Sequence, residues 1–318
     1  MARSIVSVFI SFAALLSATV FLASCGAKPE KKEITPWCSV PLRPQYATLK
    51  EVPTSRPWFR VYDVGDSVLA IYEPYSFQEV ISYLVLGKEK ALLFDTGNGI
   101  DSISLLVKEL TTLPITVLNS HTHYDHTGGN AEFENVLAMD TAYTKENAEK
   151  GWVHHRVRGE VTPEAICLEK IPGFDTAAYA IKPFTIQQSI RNHHVVDLGG
   201  RKLEVISSPG HTPDAIALYD KAHGLLWTGD MFYEATIWLY FPGTDLDAYE
   251  KSISRFAELV PTLKRVHPAH NFPVAEPVRL SELKSAYADV KNGKQKPVIV
   301  DSLRKKYVFE HFSFLMRR

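Results

Sequence analysis

Three imidazoles and a carboxylate fall within six positions in His121-Thr122-His123-Tyr124-Asp125-His126, and Thr127-Gly128-Gly129 follows directly. A single histidine is usually satisfied by a neighbour, but this density of electron-pair donors is costly unless a cation binds it. If the segment is extended, residues two apart share a side. His121 and His123 then aim at one point while Asp125 and His126 turn toward a second, a plan for two metal ions. Imidazole and carboxylate suit borderline divalent metals, zinc above all, and iron or manganese would accept the same donors.

The elements that must carry these groups read as alternating strands and helices. The cluster leaves an apolar run, Ile115 to Leu118, closed by Asn119-Ser120, as a loop leaves a buried strand. Earlier strands are expected at Val68 to Tyr72, Ser82 to Leu86 and Ala91 to Phe94, the last ending in Asp95-Thr96-Gly97. A helix follows, with Asp101 as N-cap and Ile103, Leu106, Val107 and Leu110 on one face. Val136 to Met139 reads as a strand and Thr144 to Lys150 as a helix. From about 151 to 192 periodicity dissolves into Pro, Gly and aromatics, which suggests an insertion walling one side of a site.

Regular strands resume at Leu203 to Ile206, after a hairpin-like turn through Val195 to Gly200. That strand delivers His211 in Ser208-Pro209-Gly210-His211. Ile216 to Tyr219 and Leu225 to Thr228 are strands, and the second ends in Gly229-Asp230. A helix with Asp247 as cap and Glu250 as capping-box partner turns Tyr249, Ile253 and Phe256 inward. His267-Pro268-Ala269-His270 follows Arg265-Val266, then a helix from Val278 to Lys291 and a terminal strand from Tyr307 to Phe312. Each half is β-rich and drops metal-type residues at strand ends. The simplest architecture is α/β, with two β layers, helices outside and one site along the shared edge.

A formal net charge of −1, with 35 Lys+Arg against 36 Asp+Glu, excludes an electrostatic footprint for nucleic acid. At 45% hydrophobic and 22% charged residues the chain is an ordinary globular protein. Its start differs. Arg3 precedes an apolar run from Ile5 to Phe21, a secretory signal pattern whose alternative is a plain membrane anchor. Leu22-Ala23-Ser24-Cys25 resembles the lipobox of bacterial lipoproteins. That resemblance implies residues 1–24 as signal peptide, lipid on Cys25, export to the periplasm or cell exterior, and a solvated tether over 25–45 before a domain from 46 to 318. Cys38 and Cys167 lack metal-like spacing and could pair in such a compartment.

With His121-x-His123-x-Asp125-His126, His211, Asp230 and His270 in order, the chain resembles the metallo-β-lactamase superfamily, an αββα sandwich, over about Trp58 to Phe272. The resemblance implies His121, His123 and His211 on one metal, Asp125, His126 and His270 on the other, and Asp230 bridging. Asp95 matches a position that orients such side chains. True β-lactamases usually lack the bridging aspartate, so Asp230 points toward the glyoxalase II, lactonase and thioesterase side. Asp230-Met231-Phe232-Tyr233 also resembles acyl-homoserine lactonases, in which the corresponding Tyr contacts the substrate carbonyl. Other histidines, among them His154, His155, His193, His194, His223, His267 and His311, are read as structural or solvated.

Two divalent ions about 3.5 to 4 Å apart would hold a bridging hydroxide, which attacks a carbonyl polarised by a metal and by Tyr233, while the second metal or Asp125 as proton shuttle stabilises the leaving group. The expected substrate is a small ester, thioester or lactone with an apolar acyl part, motivated by Ile237-Trp238-Leu239-Tyr240-Phe241 and the aromatic insertion. β-Lactam hydrolysis, phosphodiester hydrolysis, and a lipid-anchored metal-binding or sensor protein without turnover are the alternatives.

Overall fold

The computed structural model describes residues 36–318. The expected signal peptide and the expected lipidation site, Cys25, lie outside them. The expected tether is shorter than residue 45, because from Pro36 the chain is already docked: Trp37 donates to Pro74 O at 2.9 Å and Cys38 is disulfide-bonded to Cys167. Tyr46 is buried and stacked on Tyr72.

Eight strands form the first sheet in sequence order: β1 (Lys50–Val52), β2 (Arg60–Asp63), β3 (Val68–Tyr72), β4 (Ile81–Leu86), β5 (Ala91–Phe94), β6 (Ile115–Leu118), β7 (Val136–Met139) and β8 (Gln188–Ile190). Neighbours are antiparallel through β5 and parallel from β5 to β8. β4 and β5 are almost wholly buried, as their unbroken apolar sequences require when both faces are covered. In the second sheet β9 (Val195–Asp197), β10 (Lys202–Ser207), β11 (Ile216–Asp220) and β12 (Leu225–Gly229) run antiparallel. β13 (Thr236–Leu239) leaves for a third sheet, and β14 (Arg265–Pro268) returns to pair in parallel with β12. The third sheet has the order β13, β17 (Ser313–Arg317), β16 (Arg304–Val308), β15 (Val298–Ile299).

The helices are α1 (Ile103–Leu110), α2 (Tyr124–Thr127), α3 (Ala142–Lys150), α4 (His154–Val157), α5 (Leu246–Leu259) and α6 (Val278–Lys291). Three apolar clusters give the layers. Between the two large sheets lie Tyr72, Phe94, Leu118, Val205, Leu218 and Trp227. The outer face of the first sheet packs on α1 and the insertion through Leu93, Leu106, Val161 and Ile181. The outer face of the second packs on α5, α6 and the third sheet through Ala217, Ile253, Leu283 and Phe314. The result is the expected αββα sandwich with an added sheet.

Several expectations shift. Ser102, not Asp101, caps α1 by accepting from Leu105 N, while Asp101 pairs with Arg56. Asp245, not Asp247, caps α5, because its carboxylate takes the N–H groups of both Asp247 and Ala248; Glu250 instead binds Lys291. Residues 151–192 are not a bare loop. They hold α4, several 3-10 turns and β8, and are tied down by Tyr179 OH to Asn98 O at 2.8 Å. The terminal strand is a hairpin: Glu310 and His311 lie in its turn, closed by Phe309 N to Phe312 O at 2.9 Å. The apolar run at Ile237 is β13, paired with that hairpin, a long-range partnership that local periodicity cannot show.

Close backbone approach fits the first sheet's loops together. A Cβ on Gly128 would fall inside contact with backbone atoms of Gly97, Asn98 and Gly99. Gly128→Ala is therefore expected to cost about 1–3 kcal/mol by overpacking and to lower metal content with it. Denaturant unfolding and metal analysis check this; wild-type values for both would contradict it.

Candidate metal centre

The histidine segment is extended only as far as His123, whose ψ is 159°; α2 begins at Tyr124. Asp125 and His126 therefore leave a helical turn rather than a strand, at angles about 100° apart. His211 stands on the loop between β10 and β11, Asp230 just past β12, and His270 two residues past β14. All seven candidate donors, drawn from both large sheets, are buried and converge.

They form two groups. His121 Nε2 and His211 Nε2 each lie 3.0 Å from His123 Nδ1. Asp125 Oδ2 lies 3.6 Å from His126 Nε2 and 3.7 Å from His270 Nε2. Asp230 stands between the groups. Its Oδ1 is 3.3 Å from His126 Nε2 and 3.0 Å from His270 Nε2. Its Oδ2 is 3.5 Å from His211 Nε2 and 4.0 Å from His121 Nε2.

The far side of each ring decides what the near side carries. His211 Nδ1 faces Trp238 O at 2.8 Å and His270 Nδ1 faces Gln78 O at 2.7 Å. A carbonyl can only accept, so both Nδ1 atoms carry the proton and both Nε2 atoms of the neutral rings present bare lone pairs. His126 Nδ1 likewise donates to Asp95 Oδ2 at 2.9 Å. Ser120 Oγ spends its proton on Asp95 Oδ2 at 2.8 Å and so accepts from His121 Nδ1 at 3.1 Å. In their neutral forms these four rings therefore turn Nε2 lone pairs toward one another and toward the two carboxylates. Burial holds His121, His123 and His211 below the usual imidazole range. It acts the same way on His126 and His270, but the charges of Asp230 and Asp125 outweigh it and raise both. Buried His126 Nε2 and Asp230 Oδ1 have no hydrogen-bond partner. Such a set fits divalent cations, with three side chains in each group, a shared carboxylate, and a cavity at the front for water and substrate.

Residues 78–284 match the family model described as the metallo-beta-lactamase superfamily. The chain belongs to that superfamily. Among its relatives is the acyl-coenzyme A thioesterase MBLAC2 of Gallus gallus, 27% identical over 248 residues that cover 72% of this chain and 86% of that one. A hydroxyacylglutathione hydrolase of Yersinia enterocolitica is 27% identical over 201 residues, 63% of this chain and 65% of its own. The metallo-beta-lactamase from Pontibacter korlensis shares the fold, with a TM-score of 0.53 at 20% identity over 73% of this chain and 99% of its own.

A cavity of about 530 Å3 opens onto the donors. Its walls include Phe77, Tyr124, Tyr143, Trp152, Trp238 and Phe241, so the insertion supplies one side, through Trp152 and Arg156, and β13 with its following loop the other. Tyr233 lines it too, with its ring 5.0 Å from His270, and its hydroxyl donates to Thr236 O at 2.8 Å. Two supports escaped the sequence. Gln78, whose carbonyl holds His270, gives no local signal because it reaches the site across 192 positions. Asp214 accepts from Thr122 at 2.6 Å and from Thr144 at 3.0 Å, fixing the residue between His121 and His123. Its place three residues after His211 was the one available hint.

Asp95→Ala removes the acceptor of His126 Nδ1 and of Ser120. Loss of such an orienting carboxylate is expected to weaken metal affinity about 10- to 100-fold, read by competition with a chelating dye. Affinity within twofold of wild type would show that Asp95 positions nothing.

Proposed function

We propose that this metal-dependent hydrolase of the superfamily cleaves acyl thioesters, and related esters and lactones, whose acyl part is apolar. The observation carrying the reading is the buried set of seven metal-type donors at the floor of an aromatic-walled cavity. The likeness to an acyl-coenzyme A thioesterase favours the thioester among the carbonyl substrates. In the proposal His121, His123 and His211 hold one divalent ion, Asp125, His126 and His270 the other, and Asp230 both; zinc is the first expectation. Bound there, the ions supply Lewis acidity and an acidified water at neutral pH.

The chain's own groups do the rest. Asp95, Ser120, Trp238 O and Gln78 O hold the imidazoles in the tautomers that present Nε2. Trp152, Trp238 and Phe241 take the acyl chain and exclude bulk water. Asp125, at the cavity floor, takes a proton from the attacking water and returns it to the leaving thiolate or alkoxide. The Tyr233 hydroxyl turns from Thr236 O to the substrate carbonyl as negative charge builds on that oxygen. Export, with lipid on Cys25, is part of the proposal; the Cys38–Cys167 disulfide supports an oxidising compartment.

Metallated protein is expected to show its highest kcat/KM on medium- or long-chain acyl thioesters in a panel that also holds lactones and β-lactams. Chelation should abolish turnover, and the double variant His121→Ala, His123→Ala should lose activity and one metal together. A preference for β-lactams, or activity that survives in the double variant, would overturn the reading.

Tyr233→Phe separates two roles. A donor used only as charge develops is expected to lower kcat about 10- to 100-fold at nearly constant KM. An unchanged kcat with reduced thermal stability would leave the hydroxyl a mere anchor for Thr236.

A further inference from the structure

The third sheet has one covered face and another that is covered near β17, where Leu315 is buried, and bare only toward its outer hairpin. Ile299, Lys305, Tyr307, Phe314 and Met316 share a face by register, and Tyr307, Phe314 and Met316 are buried against α5 and α6. The opposite face carries Val298, Lys306 and Leu315 in one row across the strands, with Arg304 and Val308 beside them. Pairing of Trp238 with Leu315 continues that row into the wall of the cavity. At strand spacing near 4.8 Å, Val298 stands roughly 15 Å from Trp238.

The far end of this sheet projects into solvent. Val298 is 59% exposed, Ile299 53%, Val300 48% and Val308 50%, while Leu303 at the hairpin tip is 74% exposed. Adjacent residues of a strand point to opposite faces, so exposure of both Val298 and Ile299 means that the edge ribbon covers nothing on either side. An apolar edge of this kind is ordinarily blunted or buried. Around it the charge is one-sided. Residues 291–318 hold eight Lys or Arg against Asp301 and Glu310, and of these Lys291 pairs with Glu250 and Lys294 with Asp289, which leaves Lys296, Lys305, Lys306, Arg317 and Arg318 around the hairpin. Asp301 is already paired with Arg304 at 2.6 Å.

We propose that this hairpin, Val298 to Val308 with Leu303 at its tip, docks on an anionic lipid bilayer and brings the cavity mouth to the membrane surface. Exposed aliphatics enter the interface while Lys305, Lys306 and their neighbours meet the lipid headgroups. A second copy pairing edge to edge would set two such cationic ribbons against each other, which like charge opposes. No helix among the described residues is long and apolar enough to cross a membrane. The proposal stands apart from the substrate reading, because it uses no group of the cavity floor.

The strands, helices, apolar clusters and disulfide described above all lie within Thr35–Arg318, and that unit is the one tested. Its co-sedimentation with equimolar phosphatidylglycerol–phosphatidylcholine vesicles, and with pure phosphatidylcholine vesicles, makes the test. Each cation near such a surface is worth about fivefold in partition. Binding is expected on the anionic vesicles alone, falling with salt, and at least tenfold weaker in Leu303→Asp and in the double variant Lys305→Glu, Lys306→Glu. Both variants should hydrolyse a soluble thioester at the wild-type rate. Equal binding to neutral vesicles, no binding at all, or variants that bind like wild type would overturn the proposal. So would a concentration-dependent dimer that Leu303→Asp abolishes, which would assign the hairpin to a second copy.

Discussion

The constraint on which the structure depends is the confinement of seven electron-pair donors, all buried side chains, in one place. Ring nitrogens of His121, His123 and His211 crowd to 3.0 Å in a medium that screens poorly. The fold orients most of the rings from behind: His126, His211 and His270 each face a group that can only accept, and His121 faces Ser120 Oγ. It also places the donors at the seam, with His121 to His126 from one sheet and His211, Asp230 and His270 from the other. Cation binding at that seam therefore ties the two β layers together, and metal affinity becomes part of folding stability.

Pinning is itself built from close backbone approach. Asp95 sits at a φ of 67°, in the left-handed region that a side chain reaches only at a cost. From there its carboxylate accepts from Ser120 N, Ser120 Oγ and His126 Nδ1. Gly229, with a φ of 52°, lets the strand that ends in Asp230 pass against Ser120, where a Cβ would overlap. Ser120 thus touches the supports of three donors. A residue with no metal-binding chemistry of its own sets the spacing between His121, His126 and Asp230.

Most of the sandwich was legible in the sequence, because buried strands such as Val68–Tyr72, Ala91–Phe94 and Ile115–Leu118 announce themselves by unbroken apolar runs between turn residues. The donors were legible too, since His and Asp at strand ends stand out from apolar neighbours. What was hidden is whatever depends on distant pairing. β13 lies against β17, some 77 positions away, so neither half of the third sheet carries a local sign of the other. Helix caps were misplaced by one or two residues where several acidic or hydroxyl side chains compete. Gln78 was invisible, because it serves the site through its backbone carbonyl and its side-chain identity plays no part in that bond.

β13 shows how the layers act as one device. Its Trp238 carbonyl fixes the His211 tautomer, and its Trp238 side chain walls the cavity. Its edge pairs with the strand that leads to the cationic hairpin. The donor set alone would serve any carbonyl, and the aromatic wall alone would bind any apolar chain. Joined by one short strand, they place an aromatic wall directly in front of the metal-type donors. Selectivity is then set less by the metal-type donors, which any carbonyl could meet, than by the aromatic wall that stands in front of them.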